Sequence, residues 1–302
     1  MSTTMQLNAS VKKNSIPTAK RMRNLGFSVI GVIVFICSAF PIYWMINSSF
    51  LPYDKIRTQN PVFFPGPGDF TGGNYEKVVV DPGNILPAKF LPALSNSLQV
   101  TFFTLVVSLV VAFLASVAIG RYAFKGRKGF IVAILIVQMI PGEALMLTLY
   151  RMMDGFHLTE NILGLGLIYI STVLPFTVWT LRGFVAAVPA ELEESAMIDG
   201  CTRASAFWRV TFPLLAPGLV STGVFAFIQA WNEFVMALVM MNSPEHMTLP
   251  MWLRSFLNAS KGMTDWGGMM AGSVLVSIPV VIFFLIVQGR MTGGLTAGAV
   301  KG

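Results

Sequence analysis

The sequence predicts an all-α membrane protein, six transmembrane helices with a helix–turn–helix loop on the cytoplasmic side. Three observations carry that expectation. Hydrophobic residues make up 54% of the 302 positions and charged residues only 12%, against about 25% charged in soluble domains. The mean hydropathy of +0.68 means more apolar surface than a soluble fold of this size can hide. The charges are also spaced, leaving uncharged runs long enough to cross a bilayer.

Crossing about 30 Å of hydrocarbon takes about 20 mostly apolar residues. Arg23 to Asp54 encloses 30 uncharged positions, Lys89 to Arg121 encloses 31, Glu160 to Arg182 encloses 21, Arg209 to Glu233 encloses 23 and Asp265 to Arg290 encloses 24. A sixth run is interrupted by Glu143 alone. The expected spans are 25–48, 96–120, 129–150, 162–182, 214–241 and 268–289. The segment after Glu233 is read as continuing the fifth. The first run follows Lys12, Lys13, Lys20, Arg21 and Arg23, as a signal peptide would. It is longer than a signal's apolar region and no small-residue cleavage site follows, so it reads as an uncleaved anchor.

With the N-terminus inside, the cytoplasmic segments hold 14 Lys and Arg and the external ones 7, which places both termini in the cytoplasm. The expected layout is a cytoplasmic tail 1–24, a membrane domain 25–289 and a cytoplasmic tail 290–302. Loop 51–95 is long and proline-rich, an irregular cap with short helices that either covers the bundle or packs against an external partner.

The connection 189–213 is the most informative segment. Pro189 suits a helix start and Gly200 a helix end. Glu191, Glu193, Glu194 and Asp199 are its acids, and the first turns take them well because the helix dipole favours negative charge there. Small residues, Ser195 and Ala196, sit in its middle. Thr202 can cap a second helix carrying Phe207, Trp208 and Val210, stopped by Pro213. An acidic cytoplasmic loop departs from the positive-inside habit. It reads as an elbow that docks another protein, with a connector lying on the membrane surface as the alternative.

Two acids lie inside spans. On straight helices Glu143 would be roughly 21 Å above residue 129 and Glu233 roughly 28 Å above Leu214, both in the outer half. Because buried charge is costly in lipid, each faces protein or water. Gln138, Glu143, Asn232 and Glu233 are therefore candidates for a translocation path, or for helix-to-helix hydrogen bonds. Gly268 and Gly272 open the last span as a small-xxx-small pair, either ordinary packing or a seam with a second subunit.

Other classes are excluded. Basic residues scattered among apolar runs do not form a nucleic-acid face, despite a net charge of +7. The two cysteines, Cys37 in an apolar run and Cys201 in a polar loop, do not make a disulfide framework. His157 and His246 lack the companions of a metal site. No nucleophile–base set suggests catalysis inside the bilayer. No G-x-x-x-x-G-K-[ST] phosphate loop is present, so any ATP hydrolysis belongs to another chain.

Several of these segments resemble a known family. Glu194-Ser195-Ala196, Asp199-Gly200, Phe207 and Phe212-Pro213-Leu214 are similar to the EAA loop of ABC importer permeases, with Ser195 where alanine is usual. Asn74-Tyr75, Asn96-Ser97, Pro141-Gly142, Trp231-Asn232-Glu233-Phe234 and the terminus from Gly294 to Gly302 resemble the carbohydrate class, its shorter MalG-like subunit. The resemblance implies a coupling helix seated in a cleft of a separate ATPase. Glu194 and Asp199 would supply polar contacts, Ala196 close packing and Gly200 the turn, with Glu193 and Ser195 in the same ATPase-coupling set. It assigns Thr296, Gly298, Lys301 and Gly302 to a tail that reaches the ATPase. It implies a bacterial inner-membrane location and import by alternating access. The partners would be a second homologous permease, two ATPase subunits that use ATP and Mg, and an extracytoplasmic sugar-binding protein. No cofactor is expected on this chain. The rivals are a secondary transporter or channel, which would need no ATPase. The sugar itself is expected to be a di- or oligosaccharide, with glycerol phosphates the other class.

Overall fold

The computed structural model describes residues 18–81, 86–258 and 264–298. In chain order its α-helices are α1 (Thr18–Ser49), α2 (Tyr53–Ile56), α3 (Gly73–Val79), α4 (Phe90–Arg121), α5 (Arg127–Gln138), α6 (Met146–Gly155), α7 (Ile162–Ala187), α8 (Glu191–Ile198), α9 (Arg203–Ala206), α10 (Phe212–Asn232), α11 (Val235–Met240), α12 (Leu249–Arg254) and α13 (Trp266–Gly298). Among the described residues, five helical stretches are long and apolar enough to cross a membrane. They are Asn24–Ser49, Phe90–Arg121, Ile162–Ala187, Arg203–Asn232 and Trp266–Arg290. A bent pair, Arg127–Gln138 with Gly142–Gly155, makes the sixth crossing.

That pair corrects the straight third span expected over 129–150. The two halves meet at 87°. Pro141 has no N–H to give Val137 and disfavours helix at the residue before it. Ahead of it the helix tightens, with Met139 N–H bonded to the Ile136 carbonyl at 3.0 Å and Ile140 N–H to Val137 at 3.2 Å. A short 3-10 turn, Gly142–Leu145, then leads into α6. At 1.5 Å per residue, the 12 residues of α5 reach only about 18 Å, so neither half spans alone.

The fifth span also stops short of the expected 241. Glu233 is extended (φ −68°, ψ 129°), and α11 begins afresh after it. The Glu233 carboxylate accepts the N–H groups of Met236 at 2.7 Å and Ala237 at 3.1 Å. A fresh helix start exposes donors with no intrahelical partner, and this acid satisfies two of them.

The core has two main centres. In one, Phe227, Trp231, Trp252 and Phe256 pack between α4, α10, α12 and α13, and the Phe227 and Phe283 rings stack with centroids 4.0 Å apart. In the other, Leu165, Ile168 and Tyr169 of α7 pack against Met153, Met236 and Met240 from the two half-helices beyond the breaks. Buried Ser97, Thr101, Thr104, Ser108, Ala112 and Ser116 recur at helical spacing on α4. Small residues of this kind let α4 and α7 approach closely.

Several residues outside the elbow that carried the family resemblance are fasteners. Asn74 donates to the carbonyls of Ser49 at 2.9 Å and Leu51 at 2.8 Å, tying the outer end of α1 to α3. Asn96 donates to the carbonyls of Glu245 at 2.8 Å and Met247 at 3.0 Å. Ser97 Oγ accepts from Leu249 N–H at 2.7 Å. Together they hold the loop before α12 against α4. Trp231 is buried and donates from Nε1 to the Val276 carbonyl at 3.3 Å.

Candidate functional site

The elbow forms as the local chemistry predicts at its first bend. Glu191, Glu193 and Glu194 occupy the first turn of α8. The helix ends at Asp199, and Gly200 has φ +91°, the left-handed region that glycine enters at least cost. Thr202 Oγ1 accepts the Ser205 N–H at 3.2 Å and caps α9.

Pro213 does not stop the second limb, contrary to expectation. The limb widens into a π turn, Phe207–Thr211, and runs on into α10 with Pro213 in that helix's first turn. Phe212 N–H reaches back five residues to the Phe207 carbonyl. The wider turn lets the proline sit at a helix start, where its missing donor costs nothing.

α8 has two faces. Ala190, Glu193, Glu194 and Met197 line a cleft of about 560 Å³ between the elbow and the C-terminal end of α4. Leu192, Ser195, Ile198 and Asp199 are exposed on the other side, and Ala196 is half-buried. Ile198 is 87% exposed, a bare aliphatic tip beside the Gly200 turn. Sequence reasoning passed over it in favour of the acids; an apolar pair, Leu192 and Ile198, in an otherwise acidic helix was the available signal.

Glu193 is turned inward. Its Oε1 lies 3.3 Å from Arg121 Nη2, and both side chains are largely buried. The same oxygen accepts from Thr211 Oγ1 at 2.5 Å. The sequence marked Arg121 only as the limit of a span and did not mark Thr211. Arg203 stacks over the Tyr122 ring at 5.8 Å, and Phe113 of α4 meets Phe207 and Phe212 of the second limb.

The four path candidates fall at the two breaks. Gln138 ends α5 and Glu143 sits on the 3-10 turn beyond Pro141, both exposed. Asn232 is exposed at the end of α10 and donates to the Ile228 carbonyl at 3.0 Å. Glu233 is engaged as the α11 cap. In the C-terminal tail, the backbone of Thr296 and Gly298 continues α13, while Lys301 and Gly302 lie outside the described residues.

At the opposite end of the bundle from the elbow, Glu160 clamps the loop beyond α11. Its carboxylate accepts Ser243 N–H at 3.1 Å, and His246 Nδ1 lies at 3.2 Å. Burial works to raise the Glu160 carboxyl, but hydrogen bonds from Asn242, Ser243 and His246 outweigh it and hold the group below its usual value of 4.5. A depressed carboxyl stabilises the fold fully above its unfolded value and loses that contribution as pH falls through the folded one. The melting difference between the wild-type protein and Glu160→Gln in detergent is therefore expected to be constant near pH 7 and to shrink below about pH 4.5. A difference that grows on acidification would contradict the clamp.

Up to six apolar crossings among the described residues, with a helical elbow between the fourth and the fifth, define a multi-pass membrane protein. Residues 112–294 match the family described as binding-protein-dependent transport system inner membrane component. The chain belongs to that family, the permeases of ABC importers, and to its carbohydrate class. It is 46% identical to the diacetylchitobiose uptake system permease DasC of Streptomyces coelicolor, over 91% of this chain and 96% of that one. It is 32% identical to the trehalose transport system permease SugB of Mycobacterium tuberculosis, over 91% and 97%. The fold matches a crystal structure of a bacterial ABC transporter for alginate import at 20% identity, with a TM-score of 0.74 over 91% of this chain and 98% of that one.

Proposed function

We propose that this permease forms one half of an ATP-driven path for a di- or oligosaccharide, docked through the outer face of α8 on a separate ATPase. A second, homologous permease completes the path and an extracytoplasmic sugar-binding protein delivers the sugar. Two ATPase subunits bind ATP and Mg; this chain binds no cofactor. Both termini lie in the cytoplasm, with Thr296, Gly298, Lys301 and Gly302 directed to the ATPase. The observation that carries the reading is the face of α8 that joins exposed Ile198 and Leu192 to the Ser195, Asp199 and Gly200 turn. Such a small, partly apolar knob fits a protein cleft better than open water. Gln138, Glu143 and Asn232 contribute polar groups at the helix breaks, the places in a membrane where irregular backbone and charge need a water-filled cavity. Diacetylchitobiose is the first candidate sugar, from the 46% identity to the DasC permease.

The test is uptake of labelled diacetylchitobiose, trehalose, maltose and glycerol 3-phosphate by a deletion strain carrying this chain on a plasmid. Saturable uptake of a disaccharide is expected, abolished when the phosphate-loop lysine of the partner ATPase is replaced. Uptake that survives that replacement would sink the ATP-driven reading and favour a secondary transporter.

A further inference from the structure

Besides its continuity with α9 and its packing against α9 and the π turn, α8 is held to the membrane domain in three ways. It is covalently continuous with α7 through residues 188–190. Val185 and Val188 pack with Leu215, Phe113 and Val117 below it. The third hold is the Glu193 carboxylate, which meets Arg121 at the last residue of α4 and Thr211 in the π turn ahead of α10. The second limb rests on α4 through aromatic rings. The first limb does not, because the cleft of about 560 Å³ separates it from the end of α4. Across that gap the ionic contact is the connection. The side chains of Arg121 and Glu193 are 16% and 17% exposed, so water and salt screen the pair little. Arg121 Nε and Nη2 are buried without hydrogen-bond geometry to any partner, which leaves Glu193 as the charge that compensates the guanidinium. A buried charge stripped of its counter-charge is costly, whereas a surface pair is worth little.

We propose that Glu193 is a positioning residue that transmits movement of the docked elbow to the second and fifth spans, through Arg121 and Thr211. The proposal rests on the docking reading above. Pushing α8 then moves α4, α7 and α10 as one body. A carboxylate held from two directions carries tension and compression alike, which apolar contact across a cleft does not.

The test uses the whole transporter in proteoliposomes, with Cys37→Ser and Cys201→Ser removing the native thiols and Gln99→Cys, on the exposed outer part of α4, as reporter. The reading is the change in maleimide labelling rate on adding ATP and vanadate. It needs no sugar, and co-purification of the ATPase checks assembly. With Glu193 present, ATP is expected to change the labelling rate. Glu193→Gln and Arg121→Gln are each expected to cut that change about tenfold with the ATPase still bound, and Thr211→Val about threefold. Arg121→Glu combined with Glu193→Arg is expected to restore most of it, which a purely stabilising role would not require. An undiminished ATP response in assembled Glu193→Gln or Thr211→Val complexes overturns the proposal, as does failure of the charge-swapped pair to recover. Loss of the ATP response in the reporter with native Glu193 would instead strike the docking reading itself.

Discussion

Gly200→Asp is expected to insert at the normal level and to abolish sugar uptake. Gly200 has φ +91°, where an L side chain costs about 1–2 kcal/mol. A β-carbon there meets nothing within 4 Å in this chain, so the bundle does not register the substitution. What changes is the reversal between α8 and α9, and the outer face beside Ile198. Aspartate adds a second negative charge next to Asp199 and a bulky group where the proposed ATPase cleft would close. Immunoblotting of membranes together with labelled disaccharide uptake separates the two effects. Uptake near the wild-type rate at a normal membrane level would remove this loop from the coupling role.

Gly164→Ala is expected to have the opposite character, a large loss of stability with no direct effect on coupling. A β-carbon at Gly164 would stand 2.0 Å from the Leu158 carbonyl oxygen. That oxygen belongs to backbone, in a loop fixed by left-handed His157 and Glu160 and by the Glu160 clamp. No rotamer change relieves the contact, so the start of α7 or the loop must move, at about 3 kcal/mol. Gly166 and Gly218 would meet the rings of Phe103 at 2.4 Å and Phe184 at 2.5 Å, which can turn aside at smaller cost. Gly183, with nothing within 4 Å, serves as the control. Melting of the purified protein should rank Gly164→Ala far below Gly183→Ala. Equal melting temperatures for the two would contradict this close approach of α7 to the loop before it.

The positions of the crossings were legible because charge is excluded from lipid over long runs, and Arg23, Lys89, Arg121 and Arg290 mark their limits. The breaks were not. Hydropathy averages over a window and is blind to a backbone that turns 87° within it. Pro141-Gly142 was visible in the sequence, but proline inside α1, α7, α10 and α13 leaves those helices continuous, so proline alone does not announce a break. Glu233 read as a path candidate because it is an acid in an apolar run. Its local bonds to Met236 and Ala237 depend on a helix break that spacing does not reveal. The elbow was legible where one residue dictates one geometry, at Gly200 and Thr202. The inward turn of Glu193 was not, since it shares one acidic run with Glu191 and Glu194 and only the position of Arg121 sets it apart. Pro213 misled because a π turn of five residues has no sequence signature as strong as the proline it accommodates.

None of the most apolar window of the first crossing is buried within the chain, while Asn47, Ser48 and Ser49 at its outer end are. Lipid and protein are about equally good neighbours for an aliphatic side chain, so little draws the middle of such a helix inward. Its insertion is settled by lipid partitioning, whereas its lateral place is settled by packing against α13 and by polar contacts at one end. Entry into the bilayer and assembly of the tertiary structure are thus separable events for α1. The helix can fix the orientation of the chain across the membrane long before it contributes to the stability of the other five crossings.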